Sequence, residues 1–454
     1  MRTCLFMLAI VKIILVGPLL CPAEIVDTFP CQGEFATCGL QVGPSGDIWF
    51  ILIDDQARLM RASDDAVQCV YDTGMVPSLY DITVSPDGVI WLGEFRYIYS
   101  PEAGLYESGI QLPKETSWFF LSGPGIIDAN CRMFVTGLGG SEVDPGYRSC
   151  QIYEVGPGIA PELRYGQYYG GLDSILVVSA TECWASYWWK GGGAGLCRIN
   201  LEAGAPEAFY SGLCGAPSAK DSQGFLWLID GPSIETFNGE SLSVFAEGDE
   251  RLWYRKPVLA ADGAVWSAEA DDYRDLGTTF FGISRFAHGQ KRTFTVEDGL
   301  LSNWCETPVI DYDGRLWVAN AQWVNLYVTL VGLSRISDGG WPPMRLMLNR
   351  VDTPDSISVE VQVINNGPVV GVDVYIALQM NGQLLFWPNW QLAPSPVQVN
   401  LPPGHNQTAT IISAPRSSIP PGTYTFFSCM TGRNTHKLIG PLDRKFESLT
   451  IEIN

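Results

Sequence analysis

The chain has 454 residues, 49 of them acidic and 28 basic, for a formal net charge of −21. That balance repels nucleic acid and anionic lipid and leaves no basic stripe for phosphates, so a nucleic-acid partner is excluded. Charged residues are only 17% of the chain while Gly, Pro and aromatics are plentiful, the composition of many short strands joined by tight turns in more than one domain.

The first residues, MRTCLFMLAIVKIILVGPLLCPAE, combine a basic start, an apolar core and a small-residue exit at Cys21-Pro22-Ala23. They read as a signal peptide over residues 1–23, cleaved after Ala23, with Lys12 shortening the apolar region. Leu20 stands where a lipoprotein anchor at Cys21 would want a small residue. No later apolar run is long enough to span a membrane, so the mature protein is expected to be secreted, periplasmic or at the cell surface. The ten remaining cysteines, from Cys31 to Cys429, contain no Cys-x-x-Cys pair. Disulfides of undetermined connectivity are therefore expected rather than a zinc ribbon. Cys183 with Cys197 and Cys131 with Cys150 are expected to fall on neighbouring strands if the repeat organisation below holds.

From residue 40 onward a short unit recurs: a turn, an apolar residue and Trp. It is seen in SGDIWF at Trp49, PDGVIWLG at Trp91, QGFLWLI at Trp227, DGAVWSA at Trp266 and DGRLWVA at Trp317. Degenerate copies fill the gaps, NCRMFV at Phe134 and TECWAS at Trp184. The seven anchors are 42, 43, 50, 43, 39 and 51 residues apart, the period of a four-stranded propeller blade. A third strand follows each anchor, as in GISRFAHG and GLSRISDG, and an outer strand such as RTFTVED completes the unit. No such outer strand follows Ile336. Residues 24–35 are expected to supply it and close the ring, which removes both exposed sheet edges.

Residues Asp298 to Ile336 carry Asp298-Gly299-Leu300, Ser302-Asn303, Asp313-Gly314-Arg315-Leu316-Trp317 and Gly332-Leu333-Ser334-Arg335. This run resembles the two-component-regulator propeller repeat, and the resemblance extends over residues 30–340, weakest in the third and fourth copies. It implies an all-β fold, a seven-bladed β-propeller over residues 24–340. The Asp-Gly corners read as tight turns with the Trp packed between blades. Calcium at Asp311 and Asp313 is the alternative, but this spacing does not collect six to eight oxygens.

Ser337 to Met344 is a Gly/Pro boundary. Beyond it, Ile357, Val359, Val361 and Val363 alternate on one face, as do Val370, Val372, Val374, Ile376 and Leu378. Asn381-Gly382 marks a hairpin. Residues 345–454 are expected to form an antiparallel sandwich of immunoglobulin type. The segment resembles the module that follows regulator propellers in sensor kinases. No transmembrane segment or kinase accompanies it here, so a complete signalling receptor is not expected.

Catalytic groups are scarce. Three histidines occur, His288, His405 and His436, too few for a multi-histidine metal site and poorly placed for a triad. The repeat is also similar to that of streptogramin-lyase-like propellers, whose funnel histidine has no match in His288, which sits in a Gly-Gln turn. No catalytic residue, metal or cofactor is assigned. Loops opposite the Asp-Gly corners are long and aromatic. Glu94, Arg96, Tyr187, Trp188, Trp189, Asp271, Asp272, Tyr273, Arg274 and Trp323 are expected to ring one mouth of the channel. Exposed aromatics with a few charges suit a protein or glycan partner. The expectation is a monomeric, exported bacterial binding module. A secreted polysaccharide-active or lyase-like enzyme using loop carboxylates is the alternative.

Overall fold

The computed structural model describes residues 26–34, 39–53, 56–64, 66–72, 82–92, 97–100, 103–110, 126–128, 132–140, 148–156, 159–167, 170–179, 181–189, 193–213, 215–248, 252–255, 257–271, 280–324, 327–337, 340–435, 437–441 and 445–453. Short apolar runs between Gly and Asp corners become strands of two to eleven residues. Besides strands, the described residues hold two 3-10 turns. One, Val296–Asp298, starts on a capping box from Thr295 and stops at Gly299, whose φ of 109° suits glycine. This turn is the Asp-Gly-Leu element of the repeat.

The strands up to Ile336 pair as successive antiparallel meanders. The first is Gln41–Val42, Ile48–Ile53, Ala57–Ala62 and Val67–Asp72. The second is Ile82–Val84, Ile90–Leu92, Tyr97–Ser100 and Gly104–Glu107. The third is Ile126–Ile127, Met133–Gly140, Arg148–Gly156 and Ile159–Gln167. The fourth is Gly170–Ser179, Glu182–Trp189, Ala194–Asn200 and Ala205–Ser211. The fifth is Ala216–Lys220, Leu226–Asp230, Ser233–Phe237 and Leu242–Glu247. In the sixth, the first strand is broken into Leu252–Tyr254 and Val258–Leu259, followed by Val265–Asp271, Phe280–Ala287 and Gln290–Phe294.

The seventh consists of Trp304–Ile310, Leu316–Val324 and Tyr327–Ile336, with Val26–Glu34 as its fourth strand. Val26 lies opposite Ile336 and Phe29 opposite Leu333. Val26–Glu34 thus supplies the strand expected of residues 24–35. The Phe29 ring stacks on Trp317 at 5.1 Å, and Glu34 bridges on to Ile53 of the first meander. Inner strands touch between the third and fourth, the fourth and fifth, and the sixth and seventh meanders, and Gln41–Val42 meets both Ile82–Val84 and Trp304–Ile310, which brings the two ends of the series together. The chain is all-β, and this closed series is a β-propeller.

Beyond residue 343 two sheets share one apolar cluster. One is Met344–Asp352, Ser356–Asn365 and His405–Pro415; the other is centred on Val370–Met380 and Gly422–Gly432. Val359, Val372, Ile376 and Phe426 are buried between them. Tyr312, from the last propeller corner, belongs to the same cluster and is 2% exposed. A propeller residue therefore completes the hydrophobic core of the C-terminal sheets.

Among the described residues, Cys31, Cys69, Cys305 and Cys429 are free thiols. Burial raises the thiol pKa of Cys31 to about 11 and that of Cys429 to about 12. Cys183 and Cys197 are buried on neighbouring strands of the fourth meander, in diagonal rather than directly opposed register. Cys131 lies outside the described residues.

Candidate functional site

The corner acids have local work. Asp311 Oδ1 accepts from the backbone N–H groups of Asp313 and Arg315, at 2.8 and 3.0 Å. Its Oδ2 accepts from Arg315 Nε and Trp317 Nε1, at 2.8 and 2.9 Å. Asp221 repeats the pattern, accepting from the N–H groups of Gln223 and Phe225 and from Trp227 Nε1. Asp128 accepts from Arg132 N and Nε, and Ser85 serves Val89 N through its hydroxyl. Bonds to positions two, four and six residues on hold the turn and aim the Trp, which is a structural use of the carboxylate rather than cation binding. Burial, opposed by Arg315, holds the Asp311 carboxyl above the usual carboxylate range.

The Arg of the third strand lies directly across from the Trp of the second. The pairs are Trp49–Arg61, Trp184–Arg198, Trp266–Arg285 and Trp317–Arg335. Each guanidinium stands 5.3 to 5.9 Å from its ring centroid, within cation–π range. The spacing of the repeat is therefore a cross-strand contact written into sequence.

The corner rim is occupied by the C-terminal sheets. Ser222 N donates to Asn366 Oδ1 at 2.7 Å, and Asn406 Nδ2 donates to Ser222 O at 2.8 Å. Asn366 Nδ2 donates to Ala260 O, and Gly440 N donates to Tyr312 O, each at 2.9 Å. The Lys445 ammonium donates to Asp313 and to Gly440 O, and Lys437 pairs with both Asp313 and Asp64 at 3.1 Å. Burial raises the Asp313 carboxyl, but Lys445, Arg315 and Lys437 outweigh it and hold the group below its ordinary value. Gly432 abuts Pro44 O and Gly371 abuts Pro86 O, with no room for a Cβ at either glycine. Corners of the first, second, fifth, sixth and seventh meanders are thus engaged.

The expected rim residues belong to the other ends of the strands. Trp188 and Trp189 pair with Gly171 and Gly170 at the far end of Glu182–Trp189. Asp271 pairs with Leu252, and Trp323 with Val328. All four lie away from the corners, on one rim. Tyr187 is 6% exposed, with its ring edge-on to Phe209 at 5.6 Å, inside the fourth meander. Glu94, Arg96, Asp272, Tyr273 and Arg274 lie outside the described residues. His288 sits exposed at the tip of the turn joining Phe280–Ala287 to Gln290–Phe294, with φ of 52°.

Sequence reasoning did not find a polar cluster on the innermost strands of the sixth and seventh meanders. Arg255 Nη1 donates to Glu306 Oε1 at 2.6 Å, and Trp304 Nε1 donates to the same oxygen at 2.7 Å. Phe280 stacks flat on Trp304 at 4.1 Å. The register breaks between Glu306 and Val309, and Thr307 takes φ of 44°, unusual for a β-branched residue. A signal was present: Arg255-Lys256-Pro257-Val258 and Glu306-Thr307-Pro308-Val309 occupy the same place before the Trp. Proline in an inner strand marks a bulge.

No family profile and no curated protein matches the chain. Solved structures do. The extracellular domain of a protein described as a hybrid two-component system from B. thetaiotaomicron aligns at 15% identity and TM-score 0.49, over 95% of this chain and 57% of that one. A prolyl endopeptidase aligns at 9% and 0.44, over 73% and 55%. The WD40 propeller domain of Doa1 aligns at 14% and 0.44, over 68% and 95%. The chain spans little more than half the length of the first two. Likeness at this level assigns neither family nor activity.

Proposed function

We propose that the chain is an exported, non-catalytic binding module. In this reading residues 24–340 are a seven-bladed propeller of the two-component-regulator type and residues 345–454 an immunoglobulin-like sandwich. A protein or glycan partner docks on the loop rim around Trp188, Trp189, Asp271 and Trp323. The observation that supports the reading is the placement of the C-terminal sheets, which engage corners on opposite sides of the ring, at the end of the strands away from the loop rim. Ligands of closed β-rings bind at their mouths, where a few polar groups converge among aromatics.

The test is a screen of the mature protein, residues 24–454, against glycan and cell-envelope protein arrays, with incubated partners checked by mass spectrometry. A bound, chemically intact partner whose binding falls at least about tenfold in Trp188→Ala plus Trp189→Ala supports the reading. A cleaved partner overturns the non-catalytic part. Binding that ignores the rim substitutions overturns its location.

A further inference from the structure

One sheet of the C-terminal region ends in an open edge. His405–Pro415 pairs with Ser356–Asn365 on one side, and among the described residues no strand lies on its other side. The preceding strand, Val397–Leu401, and the next, Gly422–Gly432, both pair with Val370–Met380 in the opposite sheet, so neither covers this edge. Outside its ladder with Ser356–Asn365, the one backbone bond the strand makes among the described residues is the turn bond from His405 N to Pro402 O. Asn406 to Thr410 are exposed on both faces of the strand.

The sequence leaves this edge unguarded. From Asn406 to Ala414 there is no charged residue, glycine or proline. Every other outer edge strand longer than six residues carries proline or charge within it, and the remaining outer edges have six residues or fewer. Charge, proline and shortness are the means by which a sheet edge avoids pairing with another chain. The strand does carry a bulge: Thr410 lies opposite Glu360 and Ile412 opposite Val359, so Ile411 is passed over. A bulge bends its strand, which confines the straight run to His405–Thr410.

We propose that this edge pairs with the same edge of a second copy, giving a two-fold dimer joined by antiparallel Asn406–Thr410 strands. A formal charge of −21 sets two copies against each other over most of their surface. This run is the long edge at which they meet without placing acid against acid. Centred on Thr408, the pairing sets Thr408 against its own copy, Gln407 against Ala409 and Asn406 against Thr410. Hydroxyl, amide and methyl groups accept such direct opposition. Each copy has one such edge among its described residues, so the contact is isologous and closes at two. A run this short forms a small interface, and the dimer dissociates on dilution.

Sedimentation velocity of the mature protein, residues 24–454, over a concentration series tests this. The expected result is a reversible monomer–dimer equilibrium. Thr408→Lys and Thr408→Glu each place like charges opposite one another at the two-fold axis, so each raises the dissociation constant at least about tenfold. An equimolar mixture of the two variants places lysine opposite glutamate and recovers the dimer. Wild-type protein that stays monomeric up to about 100 µM overturns the proposal, as does growth beyond the dimer. A dimer indifferent to the Thr408 substitutions, or variants whose mixture stays monomeric, overturns the pairing at this edge.

Discussion

At the scale of single residues, the corner acids differ in how much rests on them. Asp311 is 1% exposed and binds four donors, two of them on Arg315. Asp221 is less buried and binds two backbone N–H groups and an indole. Asp311→Ala leaves a buried guanidinium with one partner fewer and should cost about 3 to 5 kcal/mol. Asp221→Ala removes neutral bonds and should cost about 1 to 3 kcal/mol. Urea denaturation of both variants checks the order, and equal losses would mean that the Arg315 pairing contributes little. The corners were legible because Asp, Gly and Trp are rare enough to stand out at fixed spacing. The role of Arg in the third strand was not, because only the register puts Arg285 across from Trp266 and Arg335 across from Trp317.

At the scale of elements, the first strand closes the ring from a distance of some three hundred residues. Val26–Glu34 pairs along nearly its whole length with Tyr327–Ile336, and Arg335 binds Asp27 at 2.5 and 2.9 Å. Removing residues 24–34 uncovers the edge of Tyr327–Ile336 and one face of Trp317, and an open edge is a template for pairing with another chain. The truncated protein should elute as higher oligomers on size exclusion, with a thermal midpoint lowered by 10 °C or roughly that. A monomer of unchanged midpoint would show that the closure is dispensable. This strand was legible by counting, since the seventh meander lacked a fourth member. The inner-strand bulges at Arg255 and Thr307 were not, because a break in register leaves only a proline as its trace.

At the scale of the molecule, the seating of the C-terminal sheets was invisible in the sequence. The contacts join residues far apart in the chain, and the amino acids involved, such as Pro44, Ser222, Asn366 and Gly432, have no distinctive chemistry. Gly432 offers the cleanest way to test what the seating does. It lies in Gly422–Gly432 paired with Val372, a position where the sheet itself accepts alanine, yet a Cβ there would collide with Pro44 O and crowd Tyr312. Both colliding groups are held by their corner, the carbonyl by backbone and the ring by the shared core, so neither can give way cheaply. Gly432→Ala should therefore unseat the sheets while the ring persists. Small-angle scattering should report a larger radius of gyration, and protease should cut the 337–343 segment at least about tenfold faster. Far-ultraviolet circular dichroism should stay the same. Partner binding at the loop rim should survive, since that rim is at the opposite end of the strands. Loss of binding together with unseating would instead place the recognition surface between the ring and the C-terminal sheets.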